Sequence, residues 1–291
     1  MKKLLIFLPL IIIAYLISSC REDIEFIGND TIVVEGWIED GNFPIVLLTK
    51  SFTPSNDKLS EDDLLKYLIR WAKVTVSDGD QSVVLTGKFD SRYFPPYIYT
   101  TSHLRGQAGK SYTLTVDYGE FQASATTTIP EKSGNCSFRV EKCNDSDTLY
   151  QVFADFSLTD SNQHYYQLFT RTGTTSRQFL ASYLGSISTV GLPQHTSIPV
   201  YRGRYKTEND YSLFFSVNDT LSVKWAQLDA KSFDFWDSFS KNQSISNNIF
   251  FTSSTNLNSN INGGLGYWCG YNSTTDHIII ADSISTRFAK Q

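Results

Sequence analysis

Tyr150, Val152, Ala154, Phe156 and Leu158 place an apolar side chain at every second position, and this period recurs along most of the chain. Successive residues of a strand project to opposite faces, so the pattern calls for half-buried strands rather than helices. Tyr112, Leu114 and Val116 repeat it against Thr113, Thr115 and Asp117. Other segments rich in β-branched and aromatic residues span 31–38, 44–49, 72–76, 82–85, 121–129, 137–142, 165–170, 213–217, 221–225 and 277–281. Gly41-Asn42, Asp78-Gly79-Asp80 and Asn218-Asp219 supply turns between them. With 20 Phe, 16 Tyr and a single Met, composition also favours strands.

Two stretches break the pattern. Ser60 and Asp63 form a capping-box-like pair ahead of Leu64, Leu65, Leu68 and Trp71, predicting one amphipathic helix of about ten residues. A second short helix is expected to start at Asp229, with Leu228 and Phe233 as a hydrophobic staple and Phe233 and Trp236 turned inward. The segment 130–135, polar and carrying Pro130 and Gly134, reads as a boundary. The expectation is an all-β chain of two domains with two short helices. Residues 30–130 form an immunoglobulin-like or transthyretin-like sandwich, and 136–291 a larger antiparallel β-sandwich or partly open barrel.

Residues 1–19 read as a secretory leader: Lys2 and Lys3, an apolar run over 4–17, then Ser18 and Ser19. The run is shorter than the ~20 residues that span a bilayer as a helix. Cys20 directly after Ile17-Ser18-Ser19 is similar to a bacterial lipobox, whose cysteine carries lipid, and 20–29 would be the tether. Removal of Lys2 and Lys3 takes the net charge from −5 to −7. An acidic chain with no basic run excludes phosphate-backbone binding as the default, so no nucleic-acid partner is expected.

Cys136, Cys143 and Cys269 remain. An exported chain meets oxidising conditions, which favours a Cys136–Cys143 disulfide. Against this, 137–142 reads as a strand, and a straight one would hold the two cysteines about 23 Å apart. Both readings stand at the level of sequence.

No chemistry of catalysis or metal binding is legible. No two of His103, His164, His195 and His277 lie within five residues, and no Cys or Glu completes a ligand set at metal-site spacing. A nucleophile elbow is absent. Gly263-Gly264-Leu265-Gly266 lacks the lysine and the strand–helix setting of a phosphate loop; glycines there suit close backbone packing. Asn144-Asp145-Ser146-Asp147 lacks the glycine and late glutamate of a calcium loop and reads as a turn. No cofactor, metal or catalytic residue is therefore expected. The aromatic groups alone have binding character: Tyr93, Phe94 and Tyr97 in one loop, and Tyr267, Trp268 and Tyr271 beside the glycines. They are candidate contacts for a glycan or peptide, or ordinary core residues of an aromatic-rich sandwich.

The leader with Cys20, then Val33-Val34-Glu35-Gly36-Trp37-Ile38, Asp160 ahead of Tyr165-Tyr166-Gln167-Leu168, and Asn260-Ile261-Asn262-Gly263-Gly264-Leu265-Gly266-Tyr267 together resemble an uncharacterised family of Bacteroidetes outer-membrane lipoproteins defined by a domain of unknown function. Arg21-Glu22-Asp23 is similar to the acidic export signal of such surface lipoproteins. Asp30-Thr31-Ile32 and three similar triplets resemble the phylum's O-glycosylation sequence. The resemblance implies a lipid-anchored, surface-exposed protein of the outer membrane, not an enzyme. It would act as accessory or ligand-binding partner of a TonB-dependent receptor in nutrient uptake. A structural or adhesive surface module, and a hydrolase without a recognisable motif, are the alternatives.

Overall fold

A computed structural model describes residues 31–51, 61–173, 178–203, 212–243, 257–281 and 288–289. The expected leader, Cys20, the expected tether and Ser60 lie outside them. The first half comprises β1 (Ile32–Glu39), β2 (Ile45–Lys50), α1 (Glu61–Leu65), β3 (Lys73–Ser77), β4 (Ser82–Val84), β5 (Thr86–Phe89), β6 (Tyr97–Thr100), β7 (Ser111–Tyr118) and β8 (Phe121–Thr128). The second comprises β9 (Asn135–Lys142), β10 (Leu149–Ser157), β11 (Tyr165–Thr172), β12 (Leu180–Ser188), β13 (His195–Val200), β14 (Phe215–Ser216), β15 (Thr220–Leu228), α2 (Ala230–Gln243), β16 (Leu265–Ile279) and β17 (Phe288–Ala289). The chain is all-β, as its period of two predicts.

One nine-stranded sheet runs β12-β11-β15-β16-β1-β2-β6-β5, with β17 also on β16. Two four-stranded sheets accompany it: β4-β3-β7-β8, and β13-β10-β14 with β9 beside β10. Among the described residues no sheet closes into a barrel. Both small sheets pack on one face of the large sheet. On β16, Trp268 donates Nε1–H to the Tyr112 carbonyl of β7 (2.9 Å), and the Gly270 amide donates to Thr127 Oγ1 of β8 (2.8 Å). Further along the same face, Leu221, Val223, Trp225 and Ile278 share a core with Val152, Ala154 and Phe156 of β10. The opposite face receives α2, where Phe235 and Trp236 cover Phe169, Ala226 and Leu228.

The expected boundary at 130–135 does not separate two bodies. The described residues from 31 onward form one compact unit, and β1 of the first half pairs in parallel with β16 of the second, from Val33↔Leu265 to Glu39↔Tyr271. Each half contributes its own small sheet, but both lie on a shared layer. The 15-residue β16, about 50 Å long at the rise of an extended strand, runs beneath both. Periodicity marks a strand without marking its neighbours, so the sharing could not be read from it.

The first helix is half its expected length. After Leu65 the backbone turns onto the free edge of β2: the Lys50 amide donates to the Tyr67 carbonyl (2.7 Å) and the Ile69 amide to the Leu48 carbonyl (3.0 Å). Sheet hydrogen bonds thus displace the last helical turns, and Trp71, expected on the buried stripe, is 84% exposed. The second helix begins where expected and runs longer. Asp229 Oδ1 accepts from the Ser232 amide (2.8 Å), while Oδ2 accepts from Thr127 Oγ1 and the Thr128 amide (both 2.8 Å). One carboxylate therefore caps α2 and pins it to β8. Asp229→Ala should cost about 2 kcal/mol in urea unfolding, since it removes a cap and two charge-assisted hydrogen bonds. Asp229→Asn should recover part of that loss.

Candidate functional site

On the α2 face of the large sheet lies a cleft of about 320 Å³, of the size that small ligands occupy. Strand alternation builds its floor. Glu35, Trp37 and Glu39 are alternate residues of β1 and share one face, while Val34, Gly36 and Ile38 turn to the opposite side. The parallel register sets Tyr267 beside Glu35 and Tyr271 beside Glu39. Lys224 of β15, Phe179 ahead of β12, and Asp90 and Tyr93 after β5 complete the walls.

The two ends differ electrostatically. Glu39 is matched: Lys224 Nζ donates to one of its oxygens and Ser273 Oγ to the other (3.0 Å). The Lys224 ammonium also lies over the Phe179 ring, 4.3 Å from its centroid. Glu35, 4 residues earlier, accepts from Tyr267 Oη (3.0 Å) and from Gln178 Nε2 (3.4 Å), both neutral donors. Burial pushes the Glu35 carboxyl up from about 4.5 to about 7, outweighing the two hydrogen bonds that favour its ionised form. Burial also raises the Tyr267 and Tyr271 phenols, which stay neutral donors. At the rim, Asp90 takes a bidentate contact from Arg92 (2.7 Å to Nε and to Nη2), and Trp37 and Tyr93 meet with ring centroids 6.2 Å apart.

Of the six aromatic residues singled out by sequence, three line this cleft: Tyr93, Tyr267 and Tyr271. Phe94 contributes its amide, which donates to Gln178 Oε1 (3.0 Å) and so holds the residue that reaches Glu35. Tyr97 lies elsewhere, donating to the Arg70 carbonyl (3.2 Å) with its ring edge-on to Tyr99. Trp268 is fully buried on the opposite face, because it is one residue out of phase with Tyr267. Glu35, Glu39, Lys224 and Gln178 were missed as site residues. Two carboxylates flanking a tryptophan at alternate positions of an otherwise apolar strand were a legible signal for the first two.

The Cys136–Cys143 bridge is not formed. Strand β9 runs straight between the two positions, in register with β10 from Asn135↔Ser157 to Lys142↔Tyr150, and both thiols are free. Burial raises the Cys136 and Cys269 thiols, leaving them protonated and unreactive. A serine, a histidine and an aspartate do meet beside β11. Ser133 Oγ and Asp160 Oδ1 lie 2.9 and 2.8 Å from His164, but both contact the same atom, Nε2. A proton relay needs the hydroxyl and the carboxylate on different ring nitrogens. Here Nδ1 faces Gln227 Nε2 (3.3 Å), and the group ties the 130–135 segment to the sheet.

A family model described as "Domain of unknown function (DUF4249)" matches residues 21–277. No curated protein and no solved structure matches the chain.

Proposed function

The chain belongs to the DUF4249 family, and from that premise we propose that it is a non-enzymatic binding lipoprotein of the outer-membrane surface. Anchored through Cys20, it would work beside a TonB-dependent receptor and hold a nutrient ligand for uptake. The observation that carries the binding role is the cleft. Aromatic faces and hydrogen-bonding groups converge on it, an arrangement suited to holding a small ligand. The leader and Cys20 support anchoring at a membrane surface by lipid, since acyl chains hold a folded domain to a bilayer without a spanning helix.

The test is co-purification of the tagged full-length chain from detergent-solubilised outer membranes, beside Cys20→Ala. A receptor barrel should be recovered with the parent chain. Recovery should fall at least tenfold with Cys20→Ala, which should also incorporate no labelled palmitate. Repeated recovery of the acylated chain without any receptor would sink the proposal.

A further inference from the structure

We propose that the cleft recognises an organic cation, received as an ammonium or guanidinium group between the Glu35 carboxylate and the rings of Trp37 and Tyr93. The inference rests on the reading of this cleft as the ligand site and names the chemistry it selects. Three carboxylates line the cleft, and two are already matched, Glu39 by Lys224 and Asp90 by Arg92. Glu35 is held by a phenol and an amide, neither of which carries charge. A carboxylate has about four acceptor sites, so those two donors leave capacity for a further partner. An unmatched carboxylate withdrawn from water is costly, and an incoming cation offsets that cost.

The neighbouring rings suit the same guest. Trp37 follows Glu35 by two residues on one face of β1, about 7 Å along the strand. Its ring meets Tyr93 at 42°, which sets a tilted aromatic pair beside the carboxylate. A cation set against such faces gains from the ring quadrupole, most when water is excluded. The Phe179 ring does not serve this purpose, because Lys224 and Arg171 already lie over it. The other ionisable groups lining the cleft are Glu39 from β1, Tyr267 and Tyr271 from β16, Lys224 from β15, Lys88 from β5, and Asp90 and Tyr93 from the loop after it.

The sign of the pH dependence follows. With the Glu35 carboxyl held near 7, its charged form is the minority below that pH. Affinity for a cation should therefore rise roughly tenfold per pH unit up to about 7, then level off. A neutral sugar gains nothing from ionisation and should bind without that slope.

Calorimetric titration of the acylated full chain in detergent tests this. The probes are a blocked Gly-Lys-Gly peptide, the same peptide acetylated at lysine Nζ, putrescine and maltotriose. At pH 8 the free-amine peptide should bind at least tenfold more tightly than its acetylated form, and Glu35→Gln should abolish the preference. Binding of putrescine alone would support the same chemistry and assign it to free amines. Maltotriose or the acetylated peptide binding as tightly as the amine would overturn the proposal. A preference that survives Glu35→Gln, or no binding of either amine between pH 5 and 8, would do so as well. Glu35→Gln should melt no lower than the parent at pH 8, because it removes a charge that burial opposes. It should also still recover the receptor, so a wrong ligand class is distinguished from a wrong assignment of the binding role.

Discussion

Trp268→Ala should lower stability by about 4–6 kcal/mol, with the melting point down by roughly 10–15 °C. The indole is fully buried between β1 and β7, and removing such a ring costs about 3–5 kcal/mol in lost contacts and residual cavity. Loss of the hydrogen bond from its Nε1–H to the Tyr112 carbonyl adds about 1 kcal/mol. The site has little room to collapse. Gly36 is paired with Trp268 across the parallel ladder, and a Cβ there would lie 2.9 Å from the indole Cε3. The missing side chain of Gly36 is thus the space that the ring fills. Trp268→Phe should recover about half the loss. A measured cost below 1 kcal/mol in urea unfolding would show that the parallel β1–β16 pairing does not depend on this ring. Tyr267→Phe, one residue away, should cost only about 1 kcal/mol, because it keeps the ring on the cleft face and removes one hydrogen bond, that to Glu35.

Lys224→Met ranks second, at about 3–5 kcal/mol near neutral pH. Lys224 and Glu39 have side chains only 10% and 11% exposed and join β15 to β1 across the intervening β16. Removing the ammonium strands a carboxylate away from water with Ser273 as its remaining donor. The double variant Lys224→Met, Glu39→Gln should recover most of the loss, since a matched neutral pair carries no uncompensated charge. Urea unfolding of the four proteins of the cycle gives the coupling directly. A double variant no more stable than Lys224→Met alone would contradict the electrostatic account.

Both variants locate the limit of sequence reasoning. The alternation of Tyr150 to Leu158 and of Tyr112 to Val116 was legible because it reports only on the strand's own two faces. The cap at Asp229 was legible because its helix-facing half is local, whereas its other oxygen reaches Thr127, 102 residues earlier in the chain. The Leu64 to Trp71 stripe misled because an unpaired β2 edge, unknown from the stripe itself, offered its backbone better partners. Tyr267 and Trp268 were grouped as one aromatic cluster. Strand geometry sends one to the cleft and the other to the core.

What the amino-acid order determined unaided was the all-β character, most strand positions and the start of α2, because each rests on contacts within a few residues. Tertiary structure alone decided that the two halves share one sheet and that, among the described residues, Glu35 is left without a charged partner while Glu39 receives one. Those outcomes depend on which distant strands lie side by side. In a ladder where a shift of one residue reverses every face, pairing is set by the packing of the whole and not by any single segment.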